Sequence, residues 1–418
     1  MRVRIHRGAA QIGGSCVEVQ ADDGHRIVLD VGRPLDAGFD EDVPLPDVPG
    51  LRTPDSSFLG VVVSHPHLDH YGLIEQRHAG VPVAMGEQAA AVVEAARFFS
   101  PATPVVRVTQ RLAHREAFRW GPFTIEPRLN DHSAFDAYSL LIEADGRRVF
   151  YTGDIRGHGR KASLFEELCA DPPANVNAML LEGTHVRLET EQIAAGVCVT
   201  EAEVEDRLVE MCANTDGMVV VCGSAQNLDR VVSVHRAALR ASRATVLDLY
   251  GATIAAAARP SIPQPGHRGL RVYVPNRQRI LVKRAQEFDR VERIRPFRVF
   301  SEELAAEPGQ FLLHVPSSTV PELLRAGAVN RSGLVVWSLW EGYLDAPSGQ
   351  TFTASLSAAG VPLTSAHTSG HASIADLQRL VASVAPERVV PIHTEAPHRY
   401  ATLFPNVVQR HDGEWWQV

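Results

Sequence analysis

The stretch His65-Pro66-His67-Leu68-Asp69-His70 packs three imidazoles and a carboxylate into six residues. Imidazole is a good zinc ligand, and a carboxylate can bridge two ions or serve a second one. The stretch follows Leu59-Gly60-Val61-Val62-Val63-Ser64, an apolar run that reads as a buried strand. Further candidates end strand-like runs of their own: Asp30 after Arg26-Ile27-Val28-Leu29, His132 after Pro127-Arg128-Leu129-Asn130-Asp131, Asp154 after Val149-Phe150-Tyr151-Thr152-Gly153, and His393 after Val389-Val390-Pro391-Ile392. Layered α/β proteins gather their sites at strand ends. One strand-end acid is usually a cap or a salt-bridge partner, but several His and Asp residues so placed predict a shared site. Two cations about 3.5–4 Å apart hold a water between them, lower its pKa toward ~7 and clamp the oxygens of a phosphoryl centre. Neutral imidazoles alone leave that charge uncompensated, so Asp69 and Asp154 belong among the ligands, with Asp154 able to bridge both ions. Asp30 is expected to orient the ligand loop through hydrogen bonds.

The elements that must position these residues fall into three blocks. In the first, Val3 to Ile5, Ser15 to Val19 and Arg26 to Asp30 read as strands of a meander, with Gly13-Gly14 as a turn. Gly86 to Phe99 has helical spacing and Pro101 stops it. Phe123 to Pro127, Tyr138 to Glu143 and Arg148 to Thr152 are strand-like, with Asp145-Gly146 as a hairpin turn. After about residue 190 strands and helices alternate. Thr200 and Glu203 form a capping-box pattern, then come Gly217 to Cys222, Asn227 to Ser242, Ala244 to Leu249, Phe311 to Val315, Pro321 to Ala326 and Leu334 to Ser338. This rhythm predicts a parallel sheet with helices on its faces. Ser261 to Phe300, rich in Arg and Pro, reads in part as an exposed basic connector. From about residue 350 strands and turns are expected again, with a strand at Val361 to Ala366, a helix capped by Ser373 and a last strand at Arg388 to Ile392.

At 418 residues the chain predicts two domains. A net charge of −8 argues against non-specific coating of nucleic acid, yet bound divalent cations would still make a cleft locally positive. The five cysteines (Cys16, Cys169, Cys198, Cys212, Cys222) are scattered and never spaced C-x-x-C, which speaks against a disulfide framework or a thiolate zinc site and for a reducing cytoplasm. Met1-Arg2-Val3-Arg4-Ile5-His6 offers no apolar core of signal-peptide length, and no apolar run is long enough to span a membrane.

Taken together, His65-Pro66-His67-Leu68-Asp69-His70, His132 and the Tyr151-Thr152-Gly153-Asp154 run resemble the metallo-β-lactamase superfamily. Leu181-Glu182-Gly183-Thr184-His185 resembles the acidic motif that opens its β-CASP subgroup. His367-Thr368-Ser369-Gly370-His371-Ala372-Ser373 resembles the second motif and Pro391-Ile392-His393-Thr394-Glu395 the third. The pattern is most similar to that of ribonuclease J-like enzymes and covers nearly the whole chain in order. The resemblance implies an α/β fold: an αββα sandwich of two sheets with outer helices, interrupted by an inserted, Rossmann-like β-CASP domain. The sandwich would take residues 1–190 and 346–418, and the insert 191–345. Two Zn²⁺ ions are implied, with Mn²⁺ as the alternative. His65, His67, His132 and Asp154 would hold one, and Asp69, His70, His393 and the shared Asp154 the other. Asp69, His371 and Glu182 would carry the catalysis, His371 as acid or charge stabiliser at the scissile phosphate and Glu182 steadying the histidine at the site. His367 and Ser369 would contact a neighbouring phosphate. The implied activity is a zinc-dependent ribonuclease, endo- or 5′–3′ exonucleolytic, in RNA processing or decay. Single-stranded RNA is the expected partner, a homodimer is compatible with the resemblance, and no membrane is involved.

The chain departs from the family pattern at Thr394, where glycine is usual, and at His185, where tyrosine often stands. In Gly223-Ser224-Ala225-Gln226-Asn227-Leu228-Asp229-Arg230 the serine is out of register with the phosphate-binding turn of ribonuclease J, which weakens the expectation of a 5′-phosphate pocket. The chain ends at Val418, so the further C-terminal domain of many relatives is not expected. The competing functions are a DNA nuclease of the same subgroup, against which His393 speaks, and a non-catalytic β-CASP partner subunit, against which the full ligand set speaks. Trp337, Trp340 and Tyr343 read either as packing or as surfaces for bases. Arg277, Arg279, Lys283 and Arg284 read either as a solvated face or as phosphate contacts.

Overall fold

A computed structural model describes residues 1–38, 41–186 and 200–418. The chain divides into two units, Met1–Gln192 with Gly370–Val418, and Ile193–Ser369. In the first, strands β1 to β6 are Arg2–Arg7, Cys16–Gln20, Arg26–Leu29, Phe58–Val62, Val83–Gly86 and Gln110–Leu112, and β7 to β11 are Phe118–Trp120, Phe123–Leu129, Tyr138–Ala144, Arg147–Tyr151 and Ala178–Glu182. In the second, β12 to β18 are Val219–Cys222, Ala244–Asp248, Leu270–Tyr273, Arg298–Val299, Phe311–Val315, Leu334–Trp337 and Leu363–Ser365. The first unit resumes with β19, Val389–Ile392, and β20, Trp415–Gln417.

Two sheets make the first unit, in the orders β20-β1-β2-β3-β4-β5-β6 and β19-β11-β10-β9-β8-β7. Successive strand residues point to opposite faces, and the packing follows that period. Ile27, Leu29 and Val62 join Ile125, Leu140, Ile142 and Leu180 in a core between the sheets. Their neighbours Val28, Val61 and Val63 turn outward, against Ala89 and Val93 of the helix Glu87–Arg97. On the outer face of the second sheet, Phe150 and Leu181 meet Phe165 and Leu168 of Ala162–Ala170 and Leu377 and Leu380 of Ile374–Val384. The result is the expected αββα layering. At roughly 1.5–3 kcal/mol for each fully buried large aliphatic side chain, these three layers of contact hold the strand ends in place.

The second unit has one all-parallel sheet, β15-β14-β13-β16-β12-β17-β18. The helices Glu201–Ala213 and Leu228–Arg240 contribute Val204, Leu208 and Val234 to one face. The other face receives Leu304, Leu323, Phe352 and Leu356. Thr200 caps its helix by accepting from the Glu203 amide.

Two sequence expectations need correction. The boundary drawn at 345 falls at Ser369 instead, because β18 pairs in parallel with β17 and the helix Pro347–Ala359 completes one face of the same sheet. Strand character therefore does not return at 350. Ser261 to Phe300 is no connector either: it supplies β14, the helix Asn276–Ala285 and β15, which extend the sheet to its edge. No described helix is long and apolar enough to cross a membrane.

Candidate metal centre

The ligand loop leaves β4 and closes into a single helical turn, Leu68–Tyr71, with His67 as its N-cap. It is laced to the segment after β3 through Val31 N–H to the His70 carbonyl (2.8 Å) and Arg33 N–H to the Leu68 carbonyl (2.9 Å), and to the start of β2 through Ser15 N–H to the Asp69 carbonyl (3.0 Å). Gly32 makes this approach possible, since a Cβ there would lie 1.7 Å from the Asp69 carbonyl oxygen. Asp30, at the end of β3, takes a left-handed conformation with φ 59°. Its buried carboxylate accepts from the Ser64 amide (2.7 Å), the Ser64 hydroxyl (2.7 Å), Tyr151 Oη (2.7 Å) and His70 Nδ1 (2.8 Å). The last contact fixes the His70 ring so that Nε2 is its remaining ligand atom.

The other strand ends deliver their residues to the same place. His132 follows β8 and its Nδ1 meets the Gly370 carbonyl at 2.6 Å. Asp154 follows β10 through Gly153, whose φ is +54°. Asn130 Nδ2 donates to the Thr152 carbonyl (3.0 Å) and the Asp154 carbonyl (3.4 Å), bracing that turn. His393, after β19, has φ 53° and brings Nε2 within 3.2 Å of Asp69 Oδ2.

Two sets of four donors result: His65, His67, His132 and Asp154, and Asp69, His70, His393 and the same Asp154, each set with its ligand atoms within 4.8 Å of one another. Asp154 Oδ2 is 3.6 Å from His65 Nε2, 3.3 Å from His70 Nε2 and 4.0 Å from His132 Nε2. Glu182, His371 and His393 form a third, smaller group. Among the described residues, three buried ligand atoms, His65 Nε2, His70 Nε2 and Asp154 Oδ1, have no hydrogen-bond partner. Leaving such atoms unpaired costs about 1–3 kcal/mol each, and a divalent cation in each of the two donor sets would satisfy them. The donor set suits zinc or manganese, with nitrogen and carboxylate oxygen and no thiolate.

The electrostatics agree. Burial, with the neighbouring imidazoles, holds the His65 and His132 protonation equilibria well below the ordinary range, so both present lone pairs. Burial works against the charge on Asp154 too, but His393 and His70 outweigh it and keep the carboxyl ionised. His371 is likewise disfavoured as a cation by burial, yet Glu182 and Asp154 carry it up to about 9. Its Nδ1 stands 3.4 Å from Glu182 Oε1 and 3.7 Å from Asp154 Oδ2.

His65, His67, Asp69, His70, His132, Asp154, Glu182, His371 and His393 are thus brought together, with Asp30 directly behind His70. His367 and Ser369 belong to the second unit and to none of the three donor groups. Sequence reasoning gave no role to Ser64, Tyr151 or Thr184. Ser64 and Tyr151 hold Asp30. Thr184 Oγ1 lies 3.2 Å from His371 Nδ1 and 3.0 Å from His393 Nδ1, and its amide donates to Glu182 Oε2 at 3.0 Å. All three sit within quoted motifs, but the directions of their side chains are set by packing.

Parts of the chain match known families and proteins. Residues 35–201 match the β-lactamase superfamily domain, and residues 364–401 the Zn-dependent metallo-hydrolase RNA specificity domain. Ribonuclease J of Sinorhizobium meliloti is 26% identical over 215 residues, 49% of this chain and 36% of the relative. Ribonuclease J of Mycobacterium tuberculosis is 27% identical over 255 residues, 58% of this chain and 43% of the relative. An RNase J-like protein of Methanocaldococcus jannaschii is 26% identical over 192 residues, 44% of this chain and 42% of the relative. The matched stretches thus span well under half of each relative. A crystal structure of a protein of unknown function from Enterococcus faecalis V583 superposes with a TM-score of 0.80 at 20% identity, covering 99% of both chains, and shows the same fold. With its strand-end donor clusters and both domain matches, the chain is similar to metallo-β-lactamase superfamily proteins and, among them, to ribonuclease J.

Proposed function

We propose that the protein is a metal-dependent ribonuclease that holds two zinc ions, with manganese as the alternative. The observation that carries the reading is the pair of donor sets sharing Asp154, with buried ligand atoms that lack partners. His65, His67, His132 and Asp154 would hold one ion, and Asp69, His70, His393 and Asp154 the other. The RNA-specificity match and the ribonuclease J relatives support RNA as the substrate. When bound, the cations would supply an activated water near neutral pH and stabilise negative charge on phosphoryl oxygens.

The chain's own residues do the rest. Asp30 orients His70, and the Gly370 carbonyl orients His132. Asp69, between His70 and His393, brings the negative charge that a cation at this position needs. Glu182 and Thr184 hold the His371 ring, which donates a proton or positive charge at the scissile phosphate as the 3′-oxygen leaves. His367 and Ser369 contact a neighbouring phosphate. Single-stranded RNA, a cytoplasmic setting, a homodimer and a role in RNA processing or decay complete the reading.

The test incubates purified protein with labelled RNA and Zn²⁺ or Mn²⁺ beside an Asp69→Ala, His70→Ala double variant. Cleavage should fall by roughly 10³-fold or more, since metal-supplied stabilisation is worth several kcal/mol. Undiminished cleavage by the double variant overturns the assignment. Product sizes from 5′-monophosphorylated and 5′-hydroxyl RNAs then separate exonucleolytic from internal cutting.

A further inference from the structure

Trp340 and Tyr343 follow β17 at the carboxyl edge of the parallel sheet and stand 54% and 55% exposed. Trp337, three residues earlier, is 4% exposed and packs against Phe352. Large aromatic rings carry much apolar surface, and these two stand half in water on one short segment. Their arrangement is also set in advance. The rings meet edge to face, with centres 5.3 Å apart and planes at 83°. The indole of Trp340 lies against Gly342, where an added Cβ would come within 2.3 Å of it. The Trp340 carbonyl accepts the indole N–H of Trp337 at 3.2 Å, which ties the segment to the core.

The same segment is joined to the one that carries His367. Ser338, two residues before Trp340, donates its hydroxyl to the Ala366 carbonyl at 2.5 Å. The Ser338 carbonyl receives Arg230 Nη1 at 3.0 Å and faces His367 Nδ1 at 3.2 Å. β17 and β18 are neighbouring parallel strands, so both segments leave the sheet side by side. Ser338 therefore ties the segment of His367, the proposed phosphate contact, to the chain two residues before Trp340. A phosphate and its base, the two ends of one nucleotide, need that adjacency.

We propose that Trp340 and Tyr343 form a stacking platform for an unpaired nucleobase of the RNA strand. This rests on the ribonuclease reading and on the phosphate role given to His367. An aromatic face accepts any base, so the platform selects single strands over duplexes, whose bases are already stacked, rather than one sequence over another.

The experiment compares wild type with a Trp340→Ala, Tyr343→Ala double variant on a single-stranded RNA and on the same RNA carrying abasic residues. The double variant should show a KM for intact RNA raised by roughly 10-fold or more. Abasic substitution should cost the wild type a similar factor and the double variant almost nothing further. Trp340→Phe should restore most of the loss, and Gly342→Val, which pushes the indole aside, should reproduce part of it. An unchanged KM in a folded double variant overturns the platform. So does a changed hydrodynamic size with unchanged KM, which marks a protein contact instead. Hydrolysis of bis(p-nitrophenyl) phosphate by the wild type, a substrate without a base, reads the hydrolase assignment separately. If the protein cleaves no RNA, anisotropy of labelled single-stranded RNA in chelator still decides the platform: equal affinity of wild type and double variant overturns it.

Discussion

Each of the two units buries a cluster of charged side chains, and the clusters are built on opposite principles. In the first, His65, His70 and Asp154 keep buried ligand atoms without partners. In the second, Arg230 and Glu201, both 0% exposed, satisfy one another almost completely. Arg230 Nη2 and Nε meet Glu201 Oε1 and Oε2 at 3.0 and 3.2 Å. The rest of the guanidinium binds the carbonyl and hydroxyl of Ser338 and the Thr368 carbonyl (3.4 Å), while Ser233 Oγ donates to Glu201 Oε2 at 2.7 Å. A polar cluster with open valences is prepared for an ion. One that is closed holds backbone segments together, here the helix start at Glu201, the end of β17 and the 366–369 stretch. Burial and charge alone do not distinguish the two kinds; the count of unmet donors and acceptors does.

Breaking the closed cluster should have the largest effect on stability. Arg230→Met leaves the Glu201 carboxylate buried and unpaired, and we expect a loss of about 3–5 kcal/mol in urea unfolding, with metal content per chain unchanged. Restoration of most of that loss by adding Glu201→Leu would show that the cost is the orphaned charge. In the open cluster the corresponding change acts on ligand affinity instead. Asp30→Asn weakens the hold on His70 Nδ1 and should lower zinc affinity roughly 10–100-fold in a chelator competition; an unchanged affinity would remove Asp30 from the metal centre.

Asp248 sharpens the comparison with a smaller effect. It is a buried acid with two hydrogen bonds, from the Gly251 amide and Gln278 Nε2, both at 2.7 Å. Burial pushes it up to about 6 despite those bonds. Because the folded value lies above the unfolded one, the folded protein binds the extra proton. Stability is therefore greatest below about pH 4 for this group and falls by roughly 2 kcal/mol as pH rises to about 6. Asp248→Asn, which still caps the helix Leu249–Ala258, should flatten that fall. Unfolding curves of both proteins from pH 4 to 7 with identical slopes would show that Asp248 pays no such penalty.

The legibility of the chain followed its hydrophobic periodicity. Strands with clean apolar runs, such as 58–62 and 219–222, and helices with marked ends, such as Ile374–Val384 behind the Ser373 cap, were readable within a residue or two. The helix Asn276–Ala285 was not, because it buries only Val282 and carries Arg277, Arg279, Lys283 and Arg284 on its solvent side. Pro347–Ala359 was missed because Thr, Ser and Gly fill nearly half of its positions and only Gly349, Phe352 and Leu356 are buried. Its misreading also displaced the domain boundary, since the helix and β18 complete the parallel sheet.

The identities and spacing of the histidines and aspartates, and their places after apolar runs, are properties of the covalent chain, and they sufficed to single out candidate ligand residues, while the αββα architecture came with the family resemblance. Which donors share an ion's neighbourhood depends on strands more than three hundred residues apart in sequence, such as those that bring His393 to Asp69. The supporting contacts of Ser64, Tyr151 and Thr184, and the difference between an open and a closed buried cluster, depend on side-chain direction. Packing sets that direction, because a rotamer is chosen by the neighbours that fill the space around it, and those neighbours exist only once the sheets have stacked.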